Sequence, residues 1–324
     1  MHSIQQYQEF IADYLQAEQQ LKEPKNLYEP IQYILSLGGK RIRPVLTLMA
    51  AEIFDADYRK ALPAALAVEV FHNFSLIHDD IMDDAPLRRG NETVHEKWDI
   101  NTGILSGDAM LILAYRYFER YEPNIFKELA QLFSKTAIEV CEGQQWDVDF
   151  ENRDDVTIPE YLKMIEYKTA VLVAAAMKMG AIIAETSEEN CNLIYDFGLN
   201  LGIAFQLQDD FLDAFGDPMT FGKQVGGDII ENKKTYLYLK AFEFADKMQA
   251  EQLAHLFSIH PNDNTEKINM VKEIFDATGA SEATQQTIHE YTFKAFDTLQ
   301  KISIDNEKKA ILRSFGENLM GRKV

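Results

Sequence analysis

The sequence predicts an all-helical protein. Apolar residues recur at three- and four-residue spacing through most of its 324 residues, which is the period of amphipathic helices. Helix breakers are scarce, with 16 glycines and 9 prolines, and the alternating patterns of strands are nearly absent. With 46% hydrophobic side chains, the chain can bury a large core, and no linker divides it convincingly. We therefore expect a single all-helical domain over residues 1–324.

Four breaks in the apolar pattern place the helices along the chain. A helical segment precedes the glycine pair at residues 38–39, and long helices then continue to a polar stretch at residues 151–158. Residues 215–235 are rich in glycine and lysine, which predicts a mobile basic loop. A last polar break at residues 260–265 precedes a C-terminal helical tail.

The helix after the polar stretch has the clearest predicted start. Thr157 followed by Glu160 has the spacing of a capping box, and Pro159 suits a first helical turn. We expect this helix to begin directly after Thr157.

Composition argues against several classes of function. The net charge of −20 does not suit nucleic acid or an anionic membrane surface as the main partner. Cys141 and Cys191 have no nearby cysteine or histidine at metal-ligand spacing, so we expect neither a zinc site nor a disulfide framework. The start lacks a signal-peptide pattern, and the most apolar stretch, 171–184, is short and interrupted by Lys178. These features predict a soluble cytoplasmic protein without an integral membrane segment.

Two aspartate clusters of the same DDxxD form stand in apolar sequence with helical spacing. They are Asp79-Asp80-Ile81-Met82-Asp83 and Asp209-Asp210-Phe211-Leu212-Asp213. A helix turns about 100° per residue, so the first and last aspartates of a cluster lie about 40° apart and share one face. Their mutual repulsion calls for cations, and oxygen ligands favour Mg²⁺, with Mn²⁺ as a substitute. One cluster also fits a solvated acidic turn, but two copies favour a site for metal-bound polyphosphate.

Basic residues supply the other half of such a site. Lys40, Arg41 and Arg43 follow the glycine pair at the start of an apolar helix, where the backbone already favours an anion. Arg88 and Arg89 follow the first aspartate cluster, and arginine forks match phosphate oxygens. A positively charged loop paired with nearby acids is the alternative for the first group.

Three further polar residues, Lys168, Thr169 and Gln206, lie in apolar helical surroundings. A lysine there needs an anionic partner, and either a bound anion or a salt bridge to Glu166 or another acid would serve. His72 also lies in an apolar helix, where a histidine is more often a core residue than a ligand.

Six motifs in this order resemble the trans-prenyltransferases of the polyprenyl synthetase family, which includes farnesyl and geranylgeranyl diphosphate synthases. They are Gly38-Gly39-Lys40-Arg41-Ile42-Arg43-Pro44, Asp79-Asp80-Ile81-Met82-Asp83 with Arg88-Arg89-Gly90, Gly143-Gln144 with Asp147, Lys168-Thr169, Phe205-Gln206 with Asp209-Asp210-Phe211-Leu212-Asp213, and Gly222-Lys223 with Gly226-Gly227-Asp228. The resemblance implies an isoprenoid synthase-type helical bundle around a central cavity, with the two DDxxD helices facing each other. It also implies a homodimer.

The reaction implied by the resemblance is the head-to-tail condensation of isopentenyl diphosphate with an allylic diphosphate (dimethylallyl, geranyl or farnesyl). About three Mg²⁺ ions would bind Asp79, Asp83 and Asp209, with Asp80, Asp210 and Asp213 contributing directly or through water. The allylic diphosphate would be helped by Arg88, Lys168, Lys223 and Lys233, and isopentenyl diphosphate would be held by Lys40, Arg43, His72 and Arg89. Oxygens of Lys168, Thr169 and Gln206 would stabilise the carbocation, and the basic loop would close to exclude water.

Product length in this family depends largely on residues upstream of the first aspartate cluster. Phe74 stands five residues before Asp79 and Ser75 four before, which resembles archaeal geranylgeranyl synthases. Phe71, eight before, is a further candidate plug. Helical arithmetic puts Phe74 about 140° and Phe71 about 80° from Asp79, so only the resemblance points Phe74 into the pocket. We expect a C20 product, with a C15 product as the alternative.

Two other interpretations use the same helical shell. A terpene cyclase also ionises prenyl diphosphates on a DDxxD cluster, but its second metal motif is usually of the Asn/Ser/Glu kind. A non-catalytic synthase subunit tends to lose the aspartates or the basic residues, and this chain keeps both sets.

Overall fold

Nearly all of the chain that the structure describes is helical, as the apolar spacing predicts. The computed structural model describes residues 1–17, 22–216 and 225–321. Two compact units share these residues. The first comprises Met1–Lys135 and Ala175–Asn192, and the second comprises Thr136–Ala174 and Leu193–Val324. The expectation of one domain over the whole chain stays a prediction.

In chain order, the helices are α1 (Ile4–Ala17), α2 (Lys25–Ser36), α3 (Ile42–Ile53), α4 (Leu62–Met82), α5 (Val94–Lys97), α6 (Ile100–Phe118), α7 (Pro123–Glu151), α8 (Ile158–Ile165), α9 (Val171–Ile183), α10 (Glu188–Phe215), α11 (Gly227–Ile230), α12 (Tyr236–Phe244), α13 (Lys247–Leu256), α14 (Thr265–Ala277), α15 (Ala280–Lys301) and α16 (Asn306–Met320). A 3₁₀ turn covers Tyr58–Ala61, and a π-helical segment, Glu166–Ala170, joins α8 to α9.

Helix α4 is the central helix of the first unit and packs against α3 and α6. Its first half is buried almost throughout, because small alanines let neighbouring helices approach while larger apolar residues fill the remaining space. Pro63 lies in its first turn, where the missing N–H breaks no helical hydrogen bond. The helix ends at Met82, so its last turn carries the first aspartate cluster.

An aromatic cluster fills the core beside α4. The ring of Phe133 lies 5.0 Å from that of Phe71 and 5.2 Å from that of Phe118, centroid to centroid, both in edge-to-face geometry. All three side chains are essentially inaccessible. Burying each ring stabilises the fold by roughly 2–3 kcal/mol.

In the second unit, the core is built around the C-terminal half of α10. Ile203, Leu207 and Phe211 belong to this core and repeat every four residues along one face of the helix. They share the core with residues of α12 and α14, including Tyr236 and Phe275. Asp209 and Asp213 each lie two residues from Phe211, about 200° around the helix, so the outer aspartates of the second cluster face away from that apolar stripe.

Three of the four predicted breaks are confirmed. Gly38 and Gly39 have φ angles of 77° and 114° and follow α2 directly. Helix α7 ends at Glu151, and no helix covers the described residues between Leu256 and Thr265. In the part of the chain that is described, no helix is both long and apolar enough to cross a membrane.

The capping box is confirmed in both of its bonds. The Glu160 N–H donates to the side chain of Thr157, and the Glu160 carboxylate accepts from the Thr157 N–H. Helix α8 begins at Ile158, with Pro159 in the first turn.

Two features were not expected. Within the predicted loop at 215–235, Gly227–Ile230 form the short helix α11, whereas residues 217–224 lie outside the described residues. Leu87–Arg88 (β1) and Asn91–Glu92 (β2) form an antiparallel hairpin, with Leu87 opposite Glu92. Its two turn residues, Arg89 and Gly90, have φ angles of 54° and 75°, as a type I′ turn requires. Strands of two residues are too short to leave an alternating pattern in the sequence.

Candidate active site

The first aspartate cluster stands at the C-terminal end of α4. Asp79 and Asp80 lie in the last turn, and Asp83 is the residue that caps it. The helix dipole places partial negative charge at this end, so three carboxylates there repel both the dipole and one another. The position is electrostatically unfavourable unless cations are bound beside it.

Asp80 is the buried member of this cluster, with 1% of its surface exposed. Arg88 Nε donates to both of its carboxylate oxygens, at 2.8 and 3.1 Å, and Arg88 Nη2 lies 3.5 Å from Asp79 Oδ2. Burial raises the pKa of Asp80, although its hydrogen bonds to Arg88 oppose that shift. Asp80 therefore positions Arg88, while Asp79 and Asp83 keep greater exposure on the shared face.

Arginine side chains converge around His72 in the same unit. Arg43 Nη1 donates to His72 Nε2 at 3.1 Å, and Arg89 Nη1 donates to the Gly38 carbonyl. A Cβ at Gly39 would lie 2.8 Å from Arg89 Cζ, so a side chain there would displace this guanidinium, and the φ of 114° also favours glycine. Arg43 Nε is buried and has no partner among the described residues. The cluster therefore has positive charge and donor capacity to spare, which fits an anion.

A counter-charge that the sequence did not reveal lies beneath this cluster. Glu69 is 2% exposed and forms an ion pair with Arg41, which also donates to the Leu35 carbonyl. Asn73 Nδ2 donates to Glu69 Oε1 at 2.8 Å. Arg41 therefore has a structural role, and the alternative of a basic residue paired with a nearby acid holds for Arg41.

His72 is neutral in this setting. Its burial, followed by the charge of Arg43 and then of Arg89, holds its pKa well below the usual value of 6.5. A neutral imidazole presents one acceptor nitrogen and one N–H donor. With Arg43 on Nε2, the remaining N–H is available to an anion.

Lowering the pH from about 7.5 to about 5.5 is expected to destabilise the protein through His72. Below pH 6.5 the unfolded chain binds a proton that the folded chain does not, so stability falls as the pH falls. The loss should be on the order of 1 kcal/mol at the lower pH. Urea unfolding of wild type and His72→Gln at both pH values measures it. An equal pH dependence in the two proteins would contradict the assignment.

The second aspartate cluster lies in the last two turns of α10, and its middle member is again the buried one. Asp210 is 7% exposed, and its two carboxylate oxygens accept from the Tyr161 hydroxyl and from Gln206 Nε2, the latter at 2.9 Å. Thr169 Oγ1 in turn donates to Gln206 Oε1 at 3.0 Å. Burial raises the pKa of Asp210, and the charge of Asp209 adds to the shift. Asp209 and Asp213 again keep greater exposure.

Lys168 and Thr169 lie in the π-helical segment between α8 and α9. Lys168 forms an ion pair with Asp147, with Nζ 2.5 Å from Oδ2. Glu166 forms an ion pair with Lys163. A Cβ at residue 143 would lie 2.2 Å from the backbone nitrogen of Lys168, so a glycine there lets α7 touch this segment. Single π turns inside helices are frequent at functional sites.

Asp228, in the segment after the second aspartate cluster, places a fourth carboxylate beside that cluster. The Asp228 N–H donates to Asp213 Oδ2 at 2.9 Å. Burial raises the pKa of Asp228, as do the charges of Asp210 and Asp213. Lys233 forms an ion pair with Glu231 at 2.9 Å. Lys223 falls outside the described residues.

Most of these second-unit side chains line one cleft, which is open to solvent and has a volume of about 130 Å³; Asp209 and Asp213 are not among its lining residues. Its polar lining consists of Asp147, Glu151, Tyr161, Lys168, Thr169, Gln206, Asp210, Asp228, Lys233, Lys234 and Thr235. Carboxylates and lysines therefore line the same cleft.

The candidate chain-length residues lie on α4, upstream of its aspartates. The Phe74 ring is 4.8 Å from the His78 ring and 5.5 Å from the Phe71 ring. Phe74 retains 9% exposure, whereas Phe71 retains 1%. Ser75 Oγ donates to the His72 carbonyl at 2.8 Å. Phe71 therefore lies deeper in the core than Phe74.

A family model described as polyprenyl synthetase matches residues 24–276. The chain belongs to the polyprenyl synthetase family. The geranylfarnesyl diphosphate synthase of Natronomonas pharaonis is 35% identical to it, over 99% of this chain and 97% of its own. The geranylgeranyl diphosphate synthase of Methanosarcina mazei is 43% identical, over 69% of this chain and 70% of its own.

Solved structures agree with this membership. One, described as a geranylgeranyl pyrophosphate synthase, has a TM-score of 0.94 and 55% identity and covers 100% of both chains. Another, the geranylgeranyl pyrophosphate synthase of Corynebacterium glutamicum complexed with isoprenyl diphosphate and magnesium, has a TM-score of 0.86 and 27% identity, over 99% of this chain and 98% of its own. This polyprenyl synthetase family member is therefore a prenyltransferase with the family's all-α fold.

Sequence reasoning about this prenyltransferase missed four polar residues that contact predicted site residues. They are Glu69, Asp147, Tyr161 and Asp228. Two of them, Asp147 and Asp228, stand within the recognised motifs, and that position was a usable signal. Glu69 and Tyr161 lie in apolar helices with no local mark of their role.

Proposed function

We propose that this prenyltransferase condenses isopentenyl diphosphate head-to-tail with allylic diphosphates and ends at the C20 product, geranylgeranyl diphosphate. The observation that carries the proposal is the repeated form of the two aspartate clusters. In each cluster, the middle aspartate is buried and held by other side chains, and the outer pair keeps the exposure that a ligand needs. The family and the names of its relatives support the same reaction class.

The outer aspartates are the proposed metal ligands. Asp79 and Asp83 share one helical face, as do Asp209 and Asp213, and like charges at a helix end fit a cation better than they fit an unliganded protein. We propose about three Mg²⁺ ions on these clusters, with Mn²⁺ as a substitute. When bound, the ions supply positive charge to the departing diphosphate.

Basic residues of the chain are proposed to bind the allylic diphosphate, as the family resemblance implies. Arg88 is held by Asp80, and Lys168 is held by Asp147. Both cations are therefore positioned in advance, which reduces the entropy lost when the diphosphate binds. Lys233 joins them from the segment after α11, and Lys223 is proposed on the strength of the motif alone. Fixed cations of this kind stabilise negative charge where it develops as the C–O bond breaks.

Isopentenyl diphosphate is assigned to the arginine cluster of the first unit. Arg43 and Arg89 carry positive charge, His72 offers an N–H, and Lys40 stands beside them in the chain. No aspartate of the DDxxD clusters is needed for this diphosphate. Arginine guanidinium groups match phosphate oxygens bidentately, which fixes the homoallylic chain for attack.

The hydrocarbon chemistry needs dipoles rather than charges. Loss of diphosphate leaves an allylic carbocation, the double bond of isopentenyl diphosphate attacks it, and a proton then passes to the released diphosphate. Thr169, Gln206 and the Lys168 carbonyl are proposed to face the cation with their oxygens. Water must be excluded, because it would convert the cation to an alcohol. The basic loop expected to do this lies largely outside the described residues, since it includes residues 217–224.

Product analysis tests the function directly. The protein is incubated with Mg²⁺, isopentenyl diphosphate and, separately, C5, C10 or C15 allylic diphosphate, and parallel samples contain excess EDTA. We expect a C20 end point from all three primers and no condensation with EDTA. A C15 end point would move the protein to the farnesyl class. Cyclic hydrocarbon formed from the allylic diphosphate alone would indicate a cyclase, and complete inactivity would indicate a partner-dependent subunit.

A homodimer is proposed from the exposed face of α6. Ile104 and Leu105 lie in one turn of this helix and Ile112 lies about two turns later; they are 41%, 61% and 60% exposed. An apolar stripe of this kind is typical of a protein interface, and the resemblance favours a second copy as its partner. Leu105→Asp with Ile112→Asp should convert a dimer to a monomer in light scattering. A wild-type monomer at micromolar concentration would contradict the proposal.

The net charge of −20 gives no reason to propose nucleic acid as a partner, and a cytoplasmic location stays a prediction.

A further inference from the structure

Lys267, near the start of α14, is a buried lysine with 2% exposure. Its ammonium donates to Asn232 Oδ1 at 2.6 Å, to the Ile259 carbonyl at 3.1 Å and to the Ile230 carbonyl at 3.4 Å. A buried charge is costly unless such acceptors surround it, so this arrangement is a built site for one ammonium.

Two of its three acceptors lie at the end of α11 and just after it. Ile230 is the last residue of that helix, where the carbonyls have no partner within the helix, and its carbonyl accepts from the Lys267 ammonium. Asn232 follows with a φ of 59°, and its Nδ2 donates to His260 Nε2 at 3.1 Å. Lys267 therefore ties residues 230–232 to residues 259–260.

The next residue of α14 fixes the other end of the same segment. A Cβ at Gly226 would lie 2.9 Å from Ile268 Cδ1, so the Ile268 side chain packs directly on the backbone at that glycine. Two consecutive residues of α14 thus contact both ends of α11. The segment between them carries Asp228, whose carbonyl accepts from the Lys233 N–H at 2.9 Å.

We propose that Lys267 is a positioning residue, which holds residues 226–233 so that Lys233 presents its ammonium to the bound diphosphate. The inference rests on the proposed function. Lys267 is not among the residues lining the second-unit cleft, whereas Asp228 and Lys233 are, so it reaches the substrate only through this segment. Its replacement should therefore act on the binding of the allylic diphosphate rather than on that of isopentenyl diphosphate.

A double-mutant cycle separates this role from a general effect on stability. The variants are Lys267→Met, Lys233→Ala and their combination, with Lys301→Met as a control that removes an exposed lysine. Steady-state kcat and KM are measured for each substrate while the other substrate is saturating. We expect Lys267→Met to lower kcat/KM for the allylic diphosphate about tenfold and to leave KM for isopentenyl diphosphate within about twofold. In the Lys233→Ala background, the same substitution should lower kcat/KM for the allylic diphosphate by less than about twofold. Losses that multiply independently, or equal losses for both substrates, would overturn the proposal.

A second variant keeps the test decisive where Lys267→Met fails to fold. Asn232→Gly removes the acceptor at 2.6 Å, and glycine accepts the φ of 59° without strain. It should give a smaller loss with the same dependence on Lys233, and an effect that is unchanged in the Lys233→Ala background would overturn the inference. A wild-type protein that condenses no substrate in the same assay would instead overturn the proposed function, and this inference with it.

Discussion

Replacing Asp79 or Asp209 with alanine is expected to lower kcat by about a thousandfold or more while the fold survives. Each carboxylate is an outer member of its cluster and is assigned to the metal over the leaving diphosphate. Its removal also relieves like-charge repulsion at a helix C-terminus, so we expect no loss of thermal stability. Product formation at saturating substrate and thermal unfolding by circular dichroism measure the two effects.

Matched controls come from the same unit or the same helix. Asp108 lies exposed on α6 and Asp196 lies exposed on α10, and alanine at either position should leave turnover within about twofold. Asp80→Ala should differ from both sets, because it leaves the half-buried Arg88 without its main partner and lowers stability by about 3 kcal/mol. Near-wild-type turnover in Asp79→Ala or Asp209→Ala would contradict the metal assignment.

Phe74→Ala is expected to lengthen the product beyond C20. The Phe74 ring keeps a small exposure and contacts Phe71 and His78, so it fits the floor of a chain pocket better than a fully enclosed core residue does. Truncation removes a phenyl ring, and the space gained is comparable to one isoprene unit. Chain-length analysis of the products from a C15 primer measures the effect, with C25 or longer products expected to dominate.

Phe118→Ala is the control for this truncation. Phe118 is fully buried in the neighbouring aromatic cluster, and its loss should lower stability by a similar amount, about 3–5 kcal/mol, without changing product length. Longer products from Phe71→Ala but not from Phe74→Ala would place the floor one turn earlier on α4. Unchanged products from both variants would remove α4 from the explanation.

The helices and the exposed aspartates could be predicted from sequence because both depend on local periodicity. The 100° helical step alone puts positions one and five of DDxxD on a common face, and the observed exposure of Asp79 and Asp83 agrees with it. The burial of Asp80 and Asp210 could not be foreseen in the same way. It depends on Arg88, eight residues away, and on Tyr161, which is far away in the chain.

Partner choice among charged residues was the weakest part of the prediction. The sequence leaves the partner of Lys168 open among a bound anion, Glu166 and another acid, and the structure pairs it with Asp147 on α7. Arg41 stands in the same motif as Arg43, yet only the structure shows that Glu69 holds it within the fold. Such pairings follow from tertiary packing, which no local pattern records.

The contact between α7 and the π-helical segment bears on how this enzyme can be redesigned. Residue 143 never needs to meet a substrate, yet any side chain there would displace the Lys168 backbone, which lies 2.2 Å from the place of a Cβ. The same holds for residue 202, where a Cβ would lie 2.8 Å from Ala170 Cα. Mutant libraries aimed at new prenyl products should keep both glycines fixed and concentrate their diversity on α4. A library that randomises positions 143 and 202 would consist mostly of inactive clones.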